Sequence, residues 1–364
     1  MTGVAPGFWR DKSVFVTGHT GFKGGWLATW LLEMGAEVSG YALTPATTPS
    51  YFVLCDLEHK MRSVIGDIRD AATLTGSMQH AQPEIVIHLA AQALVRHSHL
   101  EPLATFDTNV MGTANLLEAI RRTSSVRAAV IVTSDKCYYP GGSPSGYREQ
   151  DRLGGVDPYS ASKACAELVV AAYVHSFFER SENPVAVATV RAGNVIGGGD
   201  WADDRIVPDA IRALQKVRPL MVRNPNSVRP WQHVMEPLAG YLALAGKLFE
   251  DGLKCAGAWN FGPGSSAEIT VGQLADLLIA QWGKGLWRHS KEGDPPPETA
   301  ALRLNSIKAE CELGWTPRLT IQEAISLTID WYRRAERADS GDMYAFSAEQ
   351  IRHYCEAISI AALR

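Results

Sequence analysis

The sequence predicts an α/β fold in which a doubly wound parallel sheet is followed by a smaller, mostly α C-terminal lobe. Apolar, β-branched runs alternate with amphipathic stretches, a glycine-rich turn follows the first such run, and the alternation stops near residue 193. Nearly continuous apolar strands separated by helices are typical of a parallel sheet covered on both faces. At 364 residues the chain exceeds the roughly 250–300 residues at which one core stops growing, which favours two lobes.

Hydrophobic periodicity predicts the elements of the first lobe. Five apolar runs predict strands over residues 14–17, 37–41, 85–89, 128–133 and 185–190. Amphipathic stretches predict helices around residues 21–34, 70–80, 102–123 and 158–180. The helices therefore lie between strands in the chain, where they can cover the two faces of the sheet.

The second lobe begins where loops rich in Gly, Pro, Asp and Arg replace this alternation. Helices are predicted near residues 235–250, 271–282 and 320–338. We therefore predict one domain over residues 1–193 and a substrate-facing domain over residues 194–364. The short run at residues 259–261 can still return to the main sheet as a strand.

Composition and charge exclude several classes of protein. The formal net charge of -4 argues against a broad nucleic-acid or membrane-binding surface. The six cysteines are scattered without a C-x-x-C pair, which fits reduced thiols in the cytosol and argues against a metal site. We expect a cytoplasmic protein with no metal and with no nucleic-acid or membrane partner.

A glycine-rich turn joins the first predicted strand to the first predicted helix. Gly18, Gly21 and Gly24 have the spacing G-x-x-G-x-x-G, and the candidate ligand contacts between them are His19, Phe22 and Lys23. Glycines here let backbone N–H groups approach a pyrophosphate at the helix N-terminus, as in a Rossmann-type dinucleotide site. A tight turn without a ligand is the alternative. Residues 41–43 at the end of strand two include neither an acid nor an Arg, and the lack of a basic 2′-phosphate site favours NAD.

Tyr159 and Lys163 carry the chemistry predicted from the sequence. They are four residues apart on one face of a predicted helix, where the ammonium can lower the phenol's pKa and hold a nicotinamide ribose. This arrangement indicates hydride transfer. Ser134, Asp135 and Lys136 add a second acid–base pair, which dehydration needs and alcohol oxidation alone does not. The alternatives are chance spacing of Tyr and Lys, a turn-forming Asp135 and a solvated Lys136.

Six motifs, in order along about the first 195 residues, resemble the extended short-chain dehydrogenase/reductase family. They are Gly18-x-x-Gly21-x-x-Gly24, Gly66-Asp67-Ile68, His88-Leu89-Ala90-Ala91, Asn109-Val110-x-Gly112-Thr113, Tyr159-x-x-x-Lys163 and Arg191-Ala192-Gly193-Asn194-Val195. Motifs of the second lobe resemble the nucleotide-sugar branch of that family: Arg229-Pro230-Trp231-Gln232-His233-Val234, Asn260-Phe261-Gly262 and Leu313-Gly314-Trp315.

The resemblance implies NAD bound by the first domain and a nucleotide sugar bound by the second. It implies that Asp67 and Ile68 lie near the adenine. It implies that the dinucleotide is lined by the glycine turn, Tyr159 and Lys163, together with Leu89, Ala90, Ala91, Gln92 and Thr108. The implied substrate-binding residues are Ser134, Asn194, Arg205, Arg229 and His233. His88 and His233 are nevertheless expected to be packed or hydrogen-bonded rather than catalytic.

The residues after Ser134 distinguish two activities within this branch. Its epimerases usually carry small, non-ionisable residues there, whereas its dehydratases carry an Asp. Asp135 followed by Lys136, together with Trp201 after Gly197-Gly198-Gly199-Asp200, resembles the 4,6-dehydratases and implies CDP-glucose as the substrate. The alternatives are a nucleotide-sugar 4-epimerase, a 4,6-dehydratase of another nucleotide hexose and a non-catalytic NAD sensor. The resemblance also implies a homodimer or homotetramer that serves deoxysugar biosynthesis for a surface polysaccharide such as lipopolysaccharide O-antigen.

Overall fold

A seven-stranded parallel sheet forms the centre of the computed structural model, which describes residues 6–143, 145–264, 267–290, 302–337 and 342–361. The strands, in chain order, are β1 (Ser13–Thr17), β2 (Glu37–Ala42), β3 (Arg62–Ile65), β4 (Ile85–His88), β5 (Ala128–Val132), β6 (Ala186–Arg191), β7 (Val195–Ile196), β8 (Leu220–Val222), β9 (Val228–Pro230), β10 (Gln232–His233), β11 (Gly257–Asn260), β12 (Glu268–Thr270) and β13 (Trp287–His289). The main sheet has the order β11-β6-β5-β4-β1-β2-β3, which confirms the predicted Rossmann-type fold.

Helices cover the sheet and build most of the second lobe. In chain order they are α1 (Pro6–Trp9), α2 (Phe22–Glu33), α3 (Tyr51–Leu54), α4 (Ala71–Ala81), α5 (Val95–Leu100), α6 (Pro102–Phe106), α7 (Gly112–Arg121), α8 (Pro158–Tyr173), α9 (Ile206–Gln215), α10 (Met235–Asp251), α11 (Val271–Trp282), α12 (Ile307–Leu313), α13 (Ile321–Glu336) and α14 (Met343–Ala361). A π-helical turn at Asp107–Met111 joins α6 to α7, and another at Val174–Phe178 continues α8. None of the described helices combines the length and apolar character needed to cross a membrane.

Burial follows the apolar pattern of the strands. Every residue of β4 and β6 is buried, as expected for central strands of a sheet covered on both faces. β1 pairs in parallel with β2 on one side and with β4 on the other, and the strand order reverses between β1 and β4. Ligands of such sheets bind at the carboxyl ends of the strands beside this switch point.

The chain returns to the main sheet after the predicted domain boundary. β11 pairs in parallel with β6, which confirms that the segment near residue 259 can rejoin the sheet. Helix α10 packs against β5 and β6. The other second-lobe strands form small two-stranded sheets, β7 with β10, β9 with β12 and β8 with β13. The division between residues 193 and 194 therefore stays a prediction about function, because segments beyond it complete the first lobe.

A glycine loop fixes the second lobe against α2. A Cβ on Gly198 would lie 2.1 Å from Trp331 Cγ, and a Cβ on Gly199, whose φ is +82°, would lie 2.6 Å from Tyr51 Cδ2. Trp26 Nε1 donates a hydrogen bond to the Gly198 carbonyl over 2.8 Å. The loop that precedes Asp200 is thus held by close backbone packing. Trp26 and Trp30 of α2 are buried.

Candidate active site

The glycine turn forms a cradle at the carboxyl end of β1. Gly18 has a φ of +76°, and a Cβ there would lie 2.7 Å from the Ala90 amide nitrogen. A Cβ on Gly24 would lie 2.1 Å from the Gly18 carbonyl oxygen. Gly21 precedes α2, and no side chain among the described residues caps that helix end. The unpaired N–H groups and the positive end of the helix dipole suit a pyrophosphate, so the cradle fits a dinucleotide.

His19 and Lys23, two of the predicted ligand contacts in this turn, point in different directions. His19 is fully buried, and its ring occupies the space beside Gly40, where an added Cβ would lie 2.4 Å from the ring. His19 Nε2 is 2.7 Å from Ser63 Oγ, and burial lowers the imidazole's pKa to about 4. His19 therefore packs against β2 and β3 and supports the glycine turn.

Lys23 instead faces the candidate catalytic centre. Burial is the largest cause of a lowered pKa of about 8. The cations of Arg205 and Lys163 lower this pKa further, while Asp135 and Asp200 raise it. The glycine turn thus places the Lys23 cation near the charged candidate catalytic residues Asp135 and Lys163.

Asp67 and Ile68, predicted near the adenine, follow the edge strand β3. The Asp67 carboxylate accepts hydrogen bonds from Arg69 Nε and Nη2, which hold its pKa below the usual value. Ile68 is buried, and a Cβ on Gly112 would lie 2.5 Å from its Cδ1 atom. Tyr41 Oη donates to the Asp67 carbonyl over 3.0 Å, which ties β2 to this segment.

The loop after β4 is half-buried beside the glycine cradle and contains Leu89, Ala90, Ala91 and Gln92. The Gln92 amide donates to Asn109 Oδ1 over 2.8 Å, and Asn109 Nδ2 donates to Ser162 Oγ over 2.9 Å. Asn109 therefore connects this loop to α8. The adjacent Thr108 is half-buried in the π-helical turn. Asn109 belongs to one of the sequence motifs but was not predicted as a site residue.

Ser134, Tyr159 and Lys163 come together at the carboxyl end of β5. Ser134 caps a short 3₁₀ turn, and its Oγ accepts a hydrogen bond from the Lys136 amide over 3.2 Å. Asp157 caps α8 through the Ser160 amide, which fixes the helix start directly before Tyr159. Ser134, Tyr159 and Lys163 are buried, and Lys163 Nζ donates to the Val132 carbonyl over 3.3 Å.

Burial and neighbouring groups shift the pKa values of the Tyr/Lys pair. Burial lowers the pKa of Lys163 to about 8, although the Glu167 carboxylate opposes the shift. Burial raises the pKa of Tyr159 to about 12, although its hydrogen bond with Ser134 lowers it. The phenol therefore holds its proton in the protein alone, and a cation bound beside it would favour ionisation.

Asp135 and Lys136 extend this centre. Asp135 is buried and accepts a hydrogen bond from Ser134 Oγ over 3.0 Å. Its carboxylate occupies the space beside Gly193, where a Cβ would lie 2.2 Å from Asp135 Oδ2. Lys136 is half-buried, and its ammonium forms no hydrogen bond or ion pair with another residue in the described ranges. A buried carboxyl and an available amine thus lie on one short turn beside Tyr159.

Arg205 reaches this centre from the second lobe. Its Nη1 atom donates to Asp200 Oδ2 over 2.8 Å, and the Tyr332 hydroxyl donates to the Asp200 carbonyl. Burial lowers the pKa of Arg205, but the Asp200 carboxylate more than offsets this effect. The charge of Arg205 also acts on Tyr159. Asp200 was not predicted as a site residue, although it lies in the quoted Gly197–Trp201 run.

The other predicted substrate residues are spread over the second lobe. Asn194 lies directly after Gly193 with a φ of +22°, and its carbonyl accepts from the Gln232 amide. Arg229 is half-buried in β9, opposite Ile269 of β12. His233 is buried and packs edge-on against Trp26 with ring centroids 5.9 Å apart. Burial lowers the pKa of His233 to about 3, so its side chain is a packed, neutral imidazole.

Among the residues that the structure describes, no three His, Cys, Asp or Glu side chains are grouped so that they could hold a metal ion. The functional groups of the site are instead a glycine cradle, a Tyr/Lys/Ser set, an Asp/Lys pair and several cations. This combination suits a dinucleotide, an alcohol that is oxidised, a leaving group that is protonated and an anionic substrate.

Comparisons with known proteins agree with this chemistry. A family model described as GDP-mannose 4,6 dehydratase matches residues 15–328. A CDP-glucose 4,6-dehydratase of Salmonella typhimurium is 47% identical over 354 residues, covering 96% of this chain and 98% of the relative. A dTDP-glucose 4,6-dehydratase of Xanthomonas campestris is 29% identical over 337 residues, covering 87% of this chain and 92% of the relative.

Solved structures show the same fold. The dTDP-glucose 4,6-dehydratase DesIV of Streptomyces venezuelae, crystallised with NAD, superposes with a TM-score of 0.74 at 26% identity, covering 90% of this chain and 99% of that chain. A UDP-glucose 4-epimerase of Thermotoga maritima, crystallised with UDP-glucose, has a TM-score of 0.74 at 23% identity, covering 89% of this chain and 99% of that chain. Because the family model spans most of the chain and a relative matches nearly all of it, the chain belongs to the GDP-mannose 4,6 dehydratase family, within the predicted nucleotide-sugar branch.

Proposed function

We propose that the protein is an NAD-dependent lyase that converts CDP-D-glucose to CDP-4-dehydro-6-deoxy-D-glucose and water. The observation that carries this proposal is the buried Asp135 carboxyl, hydrogen-bonded to Ser134 beside Tyr159. The relative at 47% identity supports CDP-glucose as the substrate. The glycine cradle, together with a related dehydratase crystallised with NAD, supports the cofactor.

The reaction needs two kinds of proton transfer. The hydrogen on C5 of a hexose is not acidic, so water cannot leave across C5 and C6 until C4 has become a ketone. NAD bound in the cradle would supply this transient oxidation by accepting a hydride from C4 and returning it to C6. The protein must therefore move a proton at the C4 oxygen, and then move protons at C5 and at the C6 oxygen.

We assign these tasks to the two acid–base sets of the site. Tyr159, aligned by Ser134 and ionised with help from the nearby Lys163 cation, takes the proton of the 4-OH group. Lys136, as the neutral amine, removes the C5 proton and supplies a proton to C5 after the hydride returns to C6; its side-chain nitrogen has no other partner among the described residues. Asp135 gives a proton to the departing 6-OH group. Two separate pairs distinguish this assignment from an epimerase, which needs only the first.

Basic groups at the centre provide the attraction for a sugar diphosphate. The Arg205 cation lowers the pKa of Lys23, and the Asp200 carboxylate raises the pKa values of both residues. We propose that these cations, with Arg229 and the backbone around Asn194, bind the diphosphate. Asp200 holds Arg205 in place, so the arginine is already oriented for an anion.

We also propose a homodimer or homotetramer in the cytoplasm. Three large apolar side chains of the helices flanking the sheet are exposed: Leu103 by 83%, Met111 by 53% and Leu168 by 60%. Covering such side chains favours association. Light scattering after gel filtration measures the mass directly, and a monomer at micromolar concentration would contradict this part of the proposal. We further propose that the product serves deoxysugar biosynthesis for a surface polysaccharide such as lipopolysaccharide O-antigen.

An assay with CDP-, dTDP-, UDP- and GDP-hexoses tests the proposed reaction. We expect CDP-glucose to give a 4-keto-6-deoxy product, identified by its loss of one water in mass spectrometry and by its alkaline keto absorbance. Tyr159→Phe is the inactive control. A product of unchanged mass with inverted C4 would show an epimerase, whereas dehydration of another nucleotide hexose alone would correct the nucleotide.

A further inference from the structure

A buried ion pair contacts the residues on both sides of the Ser134–Lys136 turn, which is the candidate catalytic turn. Arg191 Nε and Nη2 donate to the two Glu167 carboxylate oxygens, each over 2.8 Å. The side chains of Arg191 and Glu167 are exposed by only 3% and 4%. A bidentate pair of this kind fixes direction as well as distance. Glu167 was not predicted as a site residue, although it lies four residues after Lys163 on α8.

Both ends of the Ser134–Lys136 segment are anchored on this pair. On one side, Thr133 Oγ1 donates to Glu167 Oε1 over 2.5 Å. On the other side, Arg191 Nη1 donates to Tyr138 Oη over 2.7 Å. The Tyr138 hydroxyl in turn donates to Asn260 Oδ1 over 2.8 Å. The catalytic turn is thus connected at both ends to a charge pair that joins Glu167 of α8 to Arg191 of β6.

The pair also affects the charges around Lys163. Burial lowers the pKa of this lysine to about 8, and the charges of Glu167 and Cys137 act in the opposite direction. The Lys163 cation in turn lowers the pKa values of Lys23 in the glycine turn and of His88 in β4. The Glu167 carboxylate is therefore placed to keep Lys163 cationic, the form that assists Tyr159.

We propose that the Glu167–Arg191 pair is a positioning device that holds Ser134, Asp135 and Lys136 in register with Tyr159 and Lys163. It touches neither the substrate nor the cofactor in this assignment. The proposal rests on the proposed function, because it gives the turn its catalytic role. The new element is that one buried ion pair aligns both acid–base sets, through its hydrogen bonds with Thr133 and Tyr138.

Two threonines provide a matched test. Thr133 and Thr189 each donate one hydrogen bond to Glu167, to Oε1 over 2.5 Å and to Oε2 over 2.7 Å, and the Thr133 hydroxyl also lies 3.2 Å from the Val190 carbonyl oxygen. Both are buried, but only Thr133 adjoins Ser134. Replacing either by Val removes a similar hydrogen bond and keeps a β-branched shape, whereas removing Glu167 or Arg191 would leave an unpaired buried charge and endanger folding.

The experiment compares Thr133→Val, Thr133→Ser, Thr189→Val and Tyr138→Phe with the unmodified protein. Turnover of CDP-glucose, the rate of C4 oxidation and the midpoint of thermal unfolding are measured, and crystal structures give the Ser134 Oγ to Tyr159 Oη distance. We expect similar losses in the unfolding midpoint for the two Val variants. We expect turnover about 10- to 100-fold slower in Thr133→Val, within about twofold of the unmodified protein in Thr189→Val, and restored in Thr133→Ser.

Tyr138→Phe loosens the other end of the turn and is expected to slow C5 proton exchange more than C4 oxidation. Equal rate losses in the two Val variants, or an unmoved Ser134 with full activity in Thr133→Val, would overturn the proposal. If the unmodified protein dehydrates no nucleotide hexose, the proposed function fails. The crystal structures then decide the positioning claim alone: Ser134 must shift in Thr133→Val and stay in Thr189→Val.

Discussion

Replacing Gly193 by Ala tests whether the exact location of the Asp135 carboxyl matters. The added Cβ would lie 2.2 Å from Asp135 Oδ2 and 2.8 Å from its Cγ. Ordinary contacts begin near 3.4 Å, so the carboxylate must move by about 1 Å if the backbone stays in place. A displacement of about 1 Å at a reacting group costs roughly 100-fold in rate. Overpacking of a buried site also destabilises by about 1–3 kcal/mol.

The assay for Gly193→Ala separates the steps of the reaction. If Asp135 is the acid for the departing 6-OH, elimination should slow by about 100-fold while C4 oxidation is retained, so that reduced cofactor accumulates on the protein. Gly76→Ala is the matched control, because a Cβ there meets nothing within 4 Å on the exposed face of α4. The reasoning is refuted if folded Gly193→Ala dehydrates at the normal rate while its crystal structure shows a displaced Asp135.

Three further predictions concern the catalytic pair, the proposed base and acid stability. Tyr159→Phe should lower turnover by ~10²–10⁴ with an unchanged unfolding midpoint, and near-normal turnover would remove Tyr159 from the mechanism. Lys136→Met should retain C4 oxidation but lose C5 solvent exchange, measured by NMR in deuterium oxide, and Lys136→Glu should partly restore dehydration; normal exchange in folded Lys136→Met contradicts its role. Burial lowers the pKa values of His19, His88 and His233 to about 4, 3 and 3. Because these imidazoles are neutral when folded and gain protons on unfolding below about pH 6.5, the free energy of unfolding should decrease from about pH 6.5 to about pH 4, by up to ~1.4 kcal/mol per pH unit for each. Urea unfolding across this range measures the slope, and a flat profile would show that these histidines are already protonated in the folded protein.

The central strands could be predicted because a strand buried on both faces has apolar residues at nearly every position. β4 and β6 are apolar along their whole length and are fully buried. β3 was not predicted, since Arg62–Ile65 is a short edge strand with exposed ends and little apolar pattern. β11 could be recognised only as a segment able to rejoin the sheet, because its pairing with β6 depends on contacts between distant parts of the chain.

Local spacing also predicted the centre of the candidate site. Tyr159 and Lys163 are one helical turn apart, and Ser134 and Asp135 are neighbours, so a sequence pattern is sufficient to select them. The structure brings the four together at the end of β5. The role of Asp200 depends on a tertiary contact with Arg205 that no spacing rule describes.

His19 and His233 lie in motifs predicted to bind ligands, but tertiary packing determines where their side chains point. His19 belongs to the glycine turn and His233 to a substrate motif, but both side chains are buried among other residues. Sequence position placed them near ligands, whereas side-chain direction depends on the space beside Gly40 and on the ring of Trp26. Packing was expected of His233 from the sequence, whereas the burial of His19 was not.

The hydrogen transfer from C4 to C6 within one bound complex tests the proposed dehydration most directly. CDP-glucose carrying deuterium at C4 is converted in ordinary water, and the product is examined by NMR and mass spectrometry. We predict deuterium at C6 and solvent hydrogen at C5. Loss of the deuterium to solvent or its return to C4 would contradict the proposed dehydration.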